Sequence, residues 1–511
     1  MQSRISPEMI FLRDDEAPTL QGRLAAAIVR AILESRARPG TRLPSSRRLA
    51  ESLSVSRMTV TLVYQILVSQ GYLETAPRSG IAVAATVPHR RLRATSQWPD
   101  HDAAGSSGTP VHAGPKNQAP DWSGWLSDHQ MPRRTIRKPS DWRDYRYPFI
   151  YGQADPDLFD HSAWRDCARR AHGTRDFADL AVDRYGADDP LLIDYICSNT
   201  LPRRGIAANP DEVLVTLGAQ NALFLAVELL ARVDRLAVTE DPGYPDFAET
   251  LRRAQSPTTF LPVDELGLDP SILPEQARLV IVTPSHHIPT GATMPLSRRR
   301  ELIARAARQD FLIIEDDYDF EMSYLAPPAP ALKSLDVNDR VIYLGSFSKS
   351  LFPGLRIGYM VAPAPLIAQA RVLRSIMLRH PPSHLQRITA YFLGLGHYDA
   401  HIVRLRETLR QRREILEDAM SRTDLRIAGA PVAGGSSVWV HGGDGVDSGA
   451  LARRLQQASV LIEPGAVFFE TPPEICPYFR LGYSSIREGR IAAGIGLIAK
   501  IAAEMSSAAT Y

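Results

Sequence analysis

The chain has 511 residues, more than a single hydrophobic core organises, so two or more domains are expected. Its 44% apolar and 23% charged residues are ordinary for a soluble globular protein; no apolar run approaches the roughly 20 residues that span a bilayer, no secretion signal opens the chain, and a cytoplasmic location is expected. The net charge of +2 hides an uneven split, because residues 1–93 carry 14 Arg against 7 acidic residues, and a compact basic segment is the footprint of a polyanion-binding module.

That segment reads as three helices and a hairpin. Apolar residues at Leu20, Leu24, Ala27, Ile28, Ala31 and Ile32 fall on one helical face. Pro39-Gly40 breaks the chain, and Pro44-Ser45-Ser46 starts a second helix with Leu49, Ala50 and Leu53 as its stripe. The turn Ser54-Val55-Ser56 leads to a third helix through Val60, Val63, Tyr64 and Leu67, which makes a helix-turn-helix. Short extended stretches at 72–75 and 81–84 then form a wing. In such a module the third helix enters the major groove of double-stranded DNA. Arg57 and Thr59 are expected at base edges and Arg47, Tyr64 and Arg78 at phosphates, with Ser56 and Gly80 completing the DNA-facing set. The runs LPSSRRLAESLSVSRMTV and GYLETAPRSGIAV resemble the winged helix of GntR-type transcription regulators, with Met58 where that family often has a polar residue.

Residues 86–145 are rich in Pro, Gly, Ser, Asp and His and read as a linker between a first domain, 1–85, and a second, 146–511. Yet they hold four of the six tryptophans, Trp98, Trp122, Trp125 and Trp142. A flexible tether has no need of them, so the second half is expected to pack on the large domain.

Seven short apolar runs follow, starting at Val213, Leu236, Thr258, Leu279, Phe311, Val341 and Ile357, several of them separated by helical patterns. The alternation argues for an α/β domain with a mostly parallel seven-stranded sheet, and a smaller α+β domain over about 366–511. Ligands of open α/β sheets bind beyond the carboxyl ends of the strands, and the polar residues of interest stand there. They are Gly218-Ala219-Gln220 opening a helix, Tyr244 in EDPGYP, the cluster Glu315-Asp316-Asp317-Tyr318-Asp319, and Gly345-Ser346-Phe347-Ser348-Lys349 with Arg356 beyond. Only five of the 59 basic residues are lysines, so a lysine kept in that small-residue stretch invites a chemical explanation. Lysine, hydroxyls and arginine converging on one point suit an aldehyde that bears a phosphate. Pyridoxal phosphate needs a lysine amine for the Schiff base, a carboxylate against the pyridine nitrogen, a phenol near the ring hydroxyl and an arginine on the phosphate. Lys349, Asp316, Tyr318 and Arg356 are expected in those roles. Ser346, Ser348 and the Gly218-Ala219-Gln220 turn are expected to add phosphate contacts, and Tyr244 to lie over the ring. His397 and His401 have the spacing of metal ligands on a helix, but no third ligand is near, and no metal is expected.

EDPGYP, VTPSHHIPTG, IIEDDYDFE and YLGSFSKSLFPGLRIGY are similar to the aminotransferase-like domain of MocR-type regulators, also called the GabR type. These fuse a GntR-like winged helix to a fold-type-I aminotransferase domain, and both parts occur here in that order. The resemblance implies a pyridoxal-phosphate-dependent transcription regulator that works as a head-to-tail, domain-swapped homodimer. It implies that Lys349 carries the cofactor as an internal aldimine, that an amine or amino-acid effector replaces it as an external aldimine, and that Arg480 in YFRLGYS grips the effector's carboxylate. Ile288 stands where true aminotransferases have an asparagine beside the cofactor hydroxyl, and His287 where the regulators commonly have glutamine. Two other readings stay open: an active aminotransferase with a DNA-binding appendage, and a regulator of vitamin B6 supply that senses the cofactor itself.

Overall fold

In a computed structural model of the chain, the described residues are 5–7, 10–12, 19–34, 36–76, 80–85, 122–125, 134–136, 138–153, 155–429 and 434–509. Arg78, Trp98 and most of the expected linker lie outside them. The chain divides into two compact units, Met1–Pro120 and Asp121–Tyr511. Among the described residues no helix is long and apolar enough to cross a membrane.

The first unit is a winged helix. Helices α1 (Leu20–Leu33), α2 (Ser46–Leu53) and α3 (Arg57–Ser69) each start at a hydroxyl residue whose oxygen accepts a backbone N–H of the first turn. Thr19 caps α1 through Gly22 N (3.1 Å), Ser45 caps α2 through Arg48 N (3.3 Å), and Ser56 caps α3 through Met58 N (3.2 Å). Ser54, with φ 53°, ends α2 in the left-handed region and reverses the chain into α3. Leu24, Ile28, Leu49, Val60, Val63 and Leu67 form the core, closed by Leu73 and Val83 of the wing. Wing strands β1 (Leu73–Ala76) and β2 (Gly80–Val83) pair antiparallel with Leu73 opposite Val83.

The second unit is built on a sheet that reads β3 (Val213–Thr216), β4 (Leu236–Asp241), β5 (Thr258–Asp264), β6 (Gly267–Leu268), β7 (Ala277–Val282), β8 (Leu312–Asp316), β9 (Val341–Ser346) and β10 (Gly358–Val361) along the chain. Across the sheet the order is β3-β10-β9-β8-β7-β4-β5-β6. The seven expected strands are all present, and the two-residue β6, antiparallel to β5, makes eight. Neighbours from β9 across to β5 are parallel, while β10 is antiparallel to both β9 and β3. Helices such as Ala219–Leu230, Leu296–Gln309 and Ala364–Leu378 cover its faces, so strands such as β3, β9 and β10 are buried along their whole length. The carboxyl ends of β3, β4, β7, β8 and β9 therefore share one edge. Beyond residue 366 the chain forms long helices, His397–Met420 and Glu488–Ala509, against a four-stranded antiparallel sheet that holds Ser437–His441 and Tyr478–Gly482.

Residues 134–136 and 138–148, from the end of the expected linker and the start of the second domain, lie against this unit. Arg134 N–H donates to Glu249 (3.2 Å) and its guanidinium pairs with Glu470. Ile136 packs on an apolar cluster, and Tyr147-Pro148 pairs in parallel with Val460-Leu461. Two of the tryptophans do not make this contact: Trp122 and Trp125 are 62% and 79% exposed, while Trp142 is half-buried.

Candidate functional site

In the winged helix, Arg57 and Met58 are exposed at the start of α3, Thr59 is half-buried behind them, and Gly80, with φ 91°, opens the second wing strand with nothing within 4 Å of its would-be side chain. Arg47 is exposed and, among the described residues, pairs with Glu51 one helical turn on (3.1 Å). Ser56 is committed to capping α3. Tyr64 departs from its expected phosphate contact: it is 3% exposed, and its hydroxyl donates to the Pro44 carbonyl (2.8 Å), so it ties α3 to the start of α2 from inside the core.

The second unit brings the expected ligand residues together at the carboxyl edge of its sheet. Alternation along β8 sorts the acidic run into two faces. Glu315 accepts the backbone N–H groups of Leu332 (2.8 Å) and Lys333 (2.9 Å). Asp317 accepts Arg204 Nε (2.6 Å) and the Tyr343 hydroxyl (2.8 Å). These two carboxylates are structural. Asp316 Oδ1, Asp319 Oδ2 and Ser348 Oγ are among the buried atoms of the described residues without a hydrogen-bond partner, as is Asp317 Oδ1. Asp317 is held through its Oδ2, whereas the other three lie beside Lys349 and suit a ligand. Burial, reinforced by the charge of Asp317, pushes the Asp316 carboxyl up to about 7. Asp319 is likewise pushed up, to about 8, chiefly by burial, with the Lys349 charge opposing.

Lys349 follows β9 in a tight turn, and its Nζ lies over the Tyr151 ring, 4.2 Å from the centroid. Burial first, then the cations of Lys138 and Arg480, pull its pKa down to about 7, which favours the neutral, nucleophilic amine. Gly218 opens the helix after β3 at φ 78° without a side-chain cap, leaving its first N–H groups open to an anion. A Cβ on Gly218 would meet Arg356 Nη2 at 2.9 Å, so only glycine lets the guanidinium sit over this turn, where it donates to the Leu217 carbonyl (3.0 Å). Ser346 Oγ accepts the Ser348 N–H (3.1 Å) and holds the turn before Lys349. The helix N-terminus, the arginine, the amine and the unpaired carboxylate together fit a phosphate-bearing aldehyde with a protonated ring nitrogen.

Other expected residues already have protein partners. The Tyr244 hydroxyl donates to Asp246 (2.9 Å), and the Tyr318 hydroxyl to the His286 carbonyl (3.1 Å). Ile288 is buried with Tyr151, Tyr318, Trp439 and Phe468 in an apolar cluster. His287 lies inside, with Nδ1 2.7 Å from Thr290 Oγ1 and Nε2 3.6 Å from Glu240. Arg480 is 2% exposed, stacked on Tyr151 (4.0 Å) and Phe468 (4.8 Å), with Nε and Nη2 each 2.7 Å from Glu463 Oε2. His401 Nε2 hydrogen-bonds the Ser350 carbonyl (2.8 Å) and His397 lies against Phe392, so this pair is accounted for by packing.

Sequence reasoning overlooked Tyr151, Glu463 and Lys138. The scarcity of lysine that singled out Lys349 applies equally to Lys138, which linker-like surroundings concealed.

Comparison with known proteins agrees with both units. Residues 192–491 match the model of aminotransferase class I and II, and residues 20–83 that of bacterial regulatory proteins of the gntR family. The chain is 48% identical to the HTH-type transcriptional regulator TauR of Rhodobacter capsulatus, over 97% of this chain and 99% of that one. It is 30% identical to the probable rhizopine catabolism regulatory protein MocR of Rhizobium meliloti, over 94% of each. Among solved structures, the kynurenine aminotransferase of Pyrococcus horikoshii superposes with a TM-score of 0.67 at 25% identity, over 75% of this chain and 98% of that one.

Proposed function

This chain belongs to the MocR-type regulators, which join a DNA-binding domain of the gntR family to an aminotransferase class I and II domain, and on that premise we propose that it is a pyridoxal-phosphate-dependent transcription regulator sensing an amine or amino acid. The observation that carries the reading is Lys349, a buried amine beside unpaired carboxylates, in a chain that also has a winged helix.

When bound, pyridoxal phosphate supplies an aldehyde that primary amines capture and a ring that draws electrons from them. The chain's own residues do the rest. Lys349 would hold the cofactor through its buried amine, and Asp316 would stand against the ring nitrogen. The Gly218-Ala219-Gln220 turn, Ser346, Ser348 and Arg356 receive the phosphate, while Tyr244 and Tyr318 bound the ring. An effector's amine would be presented beside Lys349, and Arg480 would face its carboxylate. An effector would change DNA binding only to the extent that it binds two arrangements of the molecule unequally. The protein acts in the cytoplasm as a head-to-tail, domain-swapped homodimer on paired DNA sites. Ile288 favours sensing over turnover, because an alkyl side chain offers the ring hydroxyl no hydrogen bond.

The test uses full-length protein, a DNA fragment carrying its operator, and a panel of amines and amino acids. Wild type is expected to take up pyridoxal phosphate with a visible absorption band. One panel member shifts that band and changes DNA affinity, and Lys349→Ala loses both responses. Absence of the band in wild type overturns the reading, as does DNA affinity indifferent to every ligand that shifts it. A response of DNA binding to the cofactor alone points to B6 sensing. Loss of the band, restored by a keto acid, points to transamination.

A further inference from the structure

A second lysine approaches the glycine beside Lys349. Gly152 stands at φ +72°, and a Cβ built on it would fall 2.5 Å from Lys349 Nζ and 3.5 Å from Lys138 Nζ. Lys138 arrives on the segment that Arg134 and Ile136 hold across the site. Its amine donates to the Tyr151 carbonyl and lies 3.8 Å from Glu463 Oε1. Burial disfavours its charge and Arg480 adds to that, while Glu463 opposes both.

Glu463 is already engaged. Arg480 contacts its Oε2 through two nitrogens, and the Tyr151 N–H donates to its Oε1 (3.3 Å). Two cations thus share one carboxylate in a 3%-exposed position, and the nearby Asp319 is pushed toward its neutral form. Lys138 and Arg480 thus converge beside Lys349 with the single carboxylate of Glu463 between them, an arrangement that a ligand's anionic group would complement.

We propose that Lys138 is a second cation of the effector site, which with Arg480 selects an amine carrying an anionic group, an amino acid, over a plain alkylamine. This rests on the proposed entry of an amine at Lys349. Lys138 differs from Arg480 in coming from the segment that precedes the second domain, so the ligand's anionic end meets both that segment and the small domain.

The experiment compares full-length, cofactor-loaded wild type with Lys138→Gln and Lys138→Arg. The probes are glycine, β-alanine and 4-aminobutyrate, each against the alkylamine of the same carbon skeleton without the carboxylate. The readout is the concentration that half-shifts the visible band. In Lys138→Gln the preference for the best amino acid over its alkylamine is expected to fall about 10-fold, and Lys138→Arg is expected to keep most of it. An unchanged preference overturns the proposal. Equal weakening of both ligand classes overturns it too, since Lys138 then acts only through Lys349. If no amine shifts the wild-type band, the sensing reading has failed on its own, and acetate still tests Lys138. Bound acetate raises the pH midpoint at which cofactor-free wild type captures pyridoxal phosphate, because an anion stabilises protonated Lys349. The midpoint of Lys138→Gln is expected to stay put, and acetate acting alike on both proteins overturns the proposal.

Discussion

Neighbouring carboxylates in the run 315–319 do opposite things because a strand points successive side chains to opposite faces. Asp317 Oδ2 is locked to Arg204 and Tyr343, with the Asp317 and Arg204 side chains 0% and 1% exposed, whereas Asp316 Oδ1 is buried without a hydrogen-bond partner among the described residues. Two substitutions one residue apart are therefore expected to separate folding from binding. Asp317→Ala leaves a buried guanidinium without its counter-charge and should cost about 3–5 kcal/mol in stability, read as a lower unfolding midpoint of the cofactor-free protein. Asp316→Asn keeps shape and polarity, should leave that midpoint nearly in place, and should weaken cofactor retention, read from the visible band after dialysis. Equal loss of stability in both would mean that Asp316 is a structural acid like its neighbour.

Capping gives the elements of the winged helix sharp boundaries. Ser56 was expected to face DNA, yet its hydroxyl caps α3, and the two roles separate by choice of substitution. Ser56→Ala removes the cap at about 1 kcal/mol, while glycine at an N-cap costs only a few tenths. If capping is the whole role, Ser56→Gly retains near wild-type DNA affinity and Ser56→Ala loses both stability and affinity. If the hydroxyl also touches DNA, Ser56→Gly loses affinity with stability intact. Periodicity and caps are local, which is why α1–α3, the wing and seven sheet strands could be read from the residues alone. The positions of Lys349, Asp316, Arg356 and Gly218 followed from strand ends, which sequence also marks. What sequence left hidden was pairing at long range: Tyr64 with Pro44, Arg480 with Glu463, and Lys138 with the Tyr151 carbonyl. Each depends on which elements pack together, and composition filed Lys138 under linker.

At the scale of the whole molecule, charge is segregated, with the basic excess in residues 1–93 and an acidic remainder. DNA affinity should therefore fall steeply as salt rises, since neutralised phosphates release counterions. Arg47, exposed and paired among the described residues with the exposed Glu51, can contribute at little cost. Arg47→Ala should weaken binding to all DNA sequences alike and reduce the salt slope by about 1; an unchanged slope would remove Arg47 from the phosphate contacts. In the other unit, the carboxylate of Glu463 amounts to a resident competitor. It is attached to the protein, so its local concentration is fixed by the chain and does not dilute. If Arg480 binds the effector as proposed, an incoming acid would have to displace this ion pair, which would lower its apparent affinity and set the concentration range of the response.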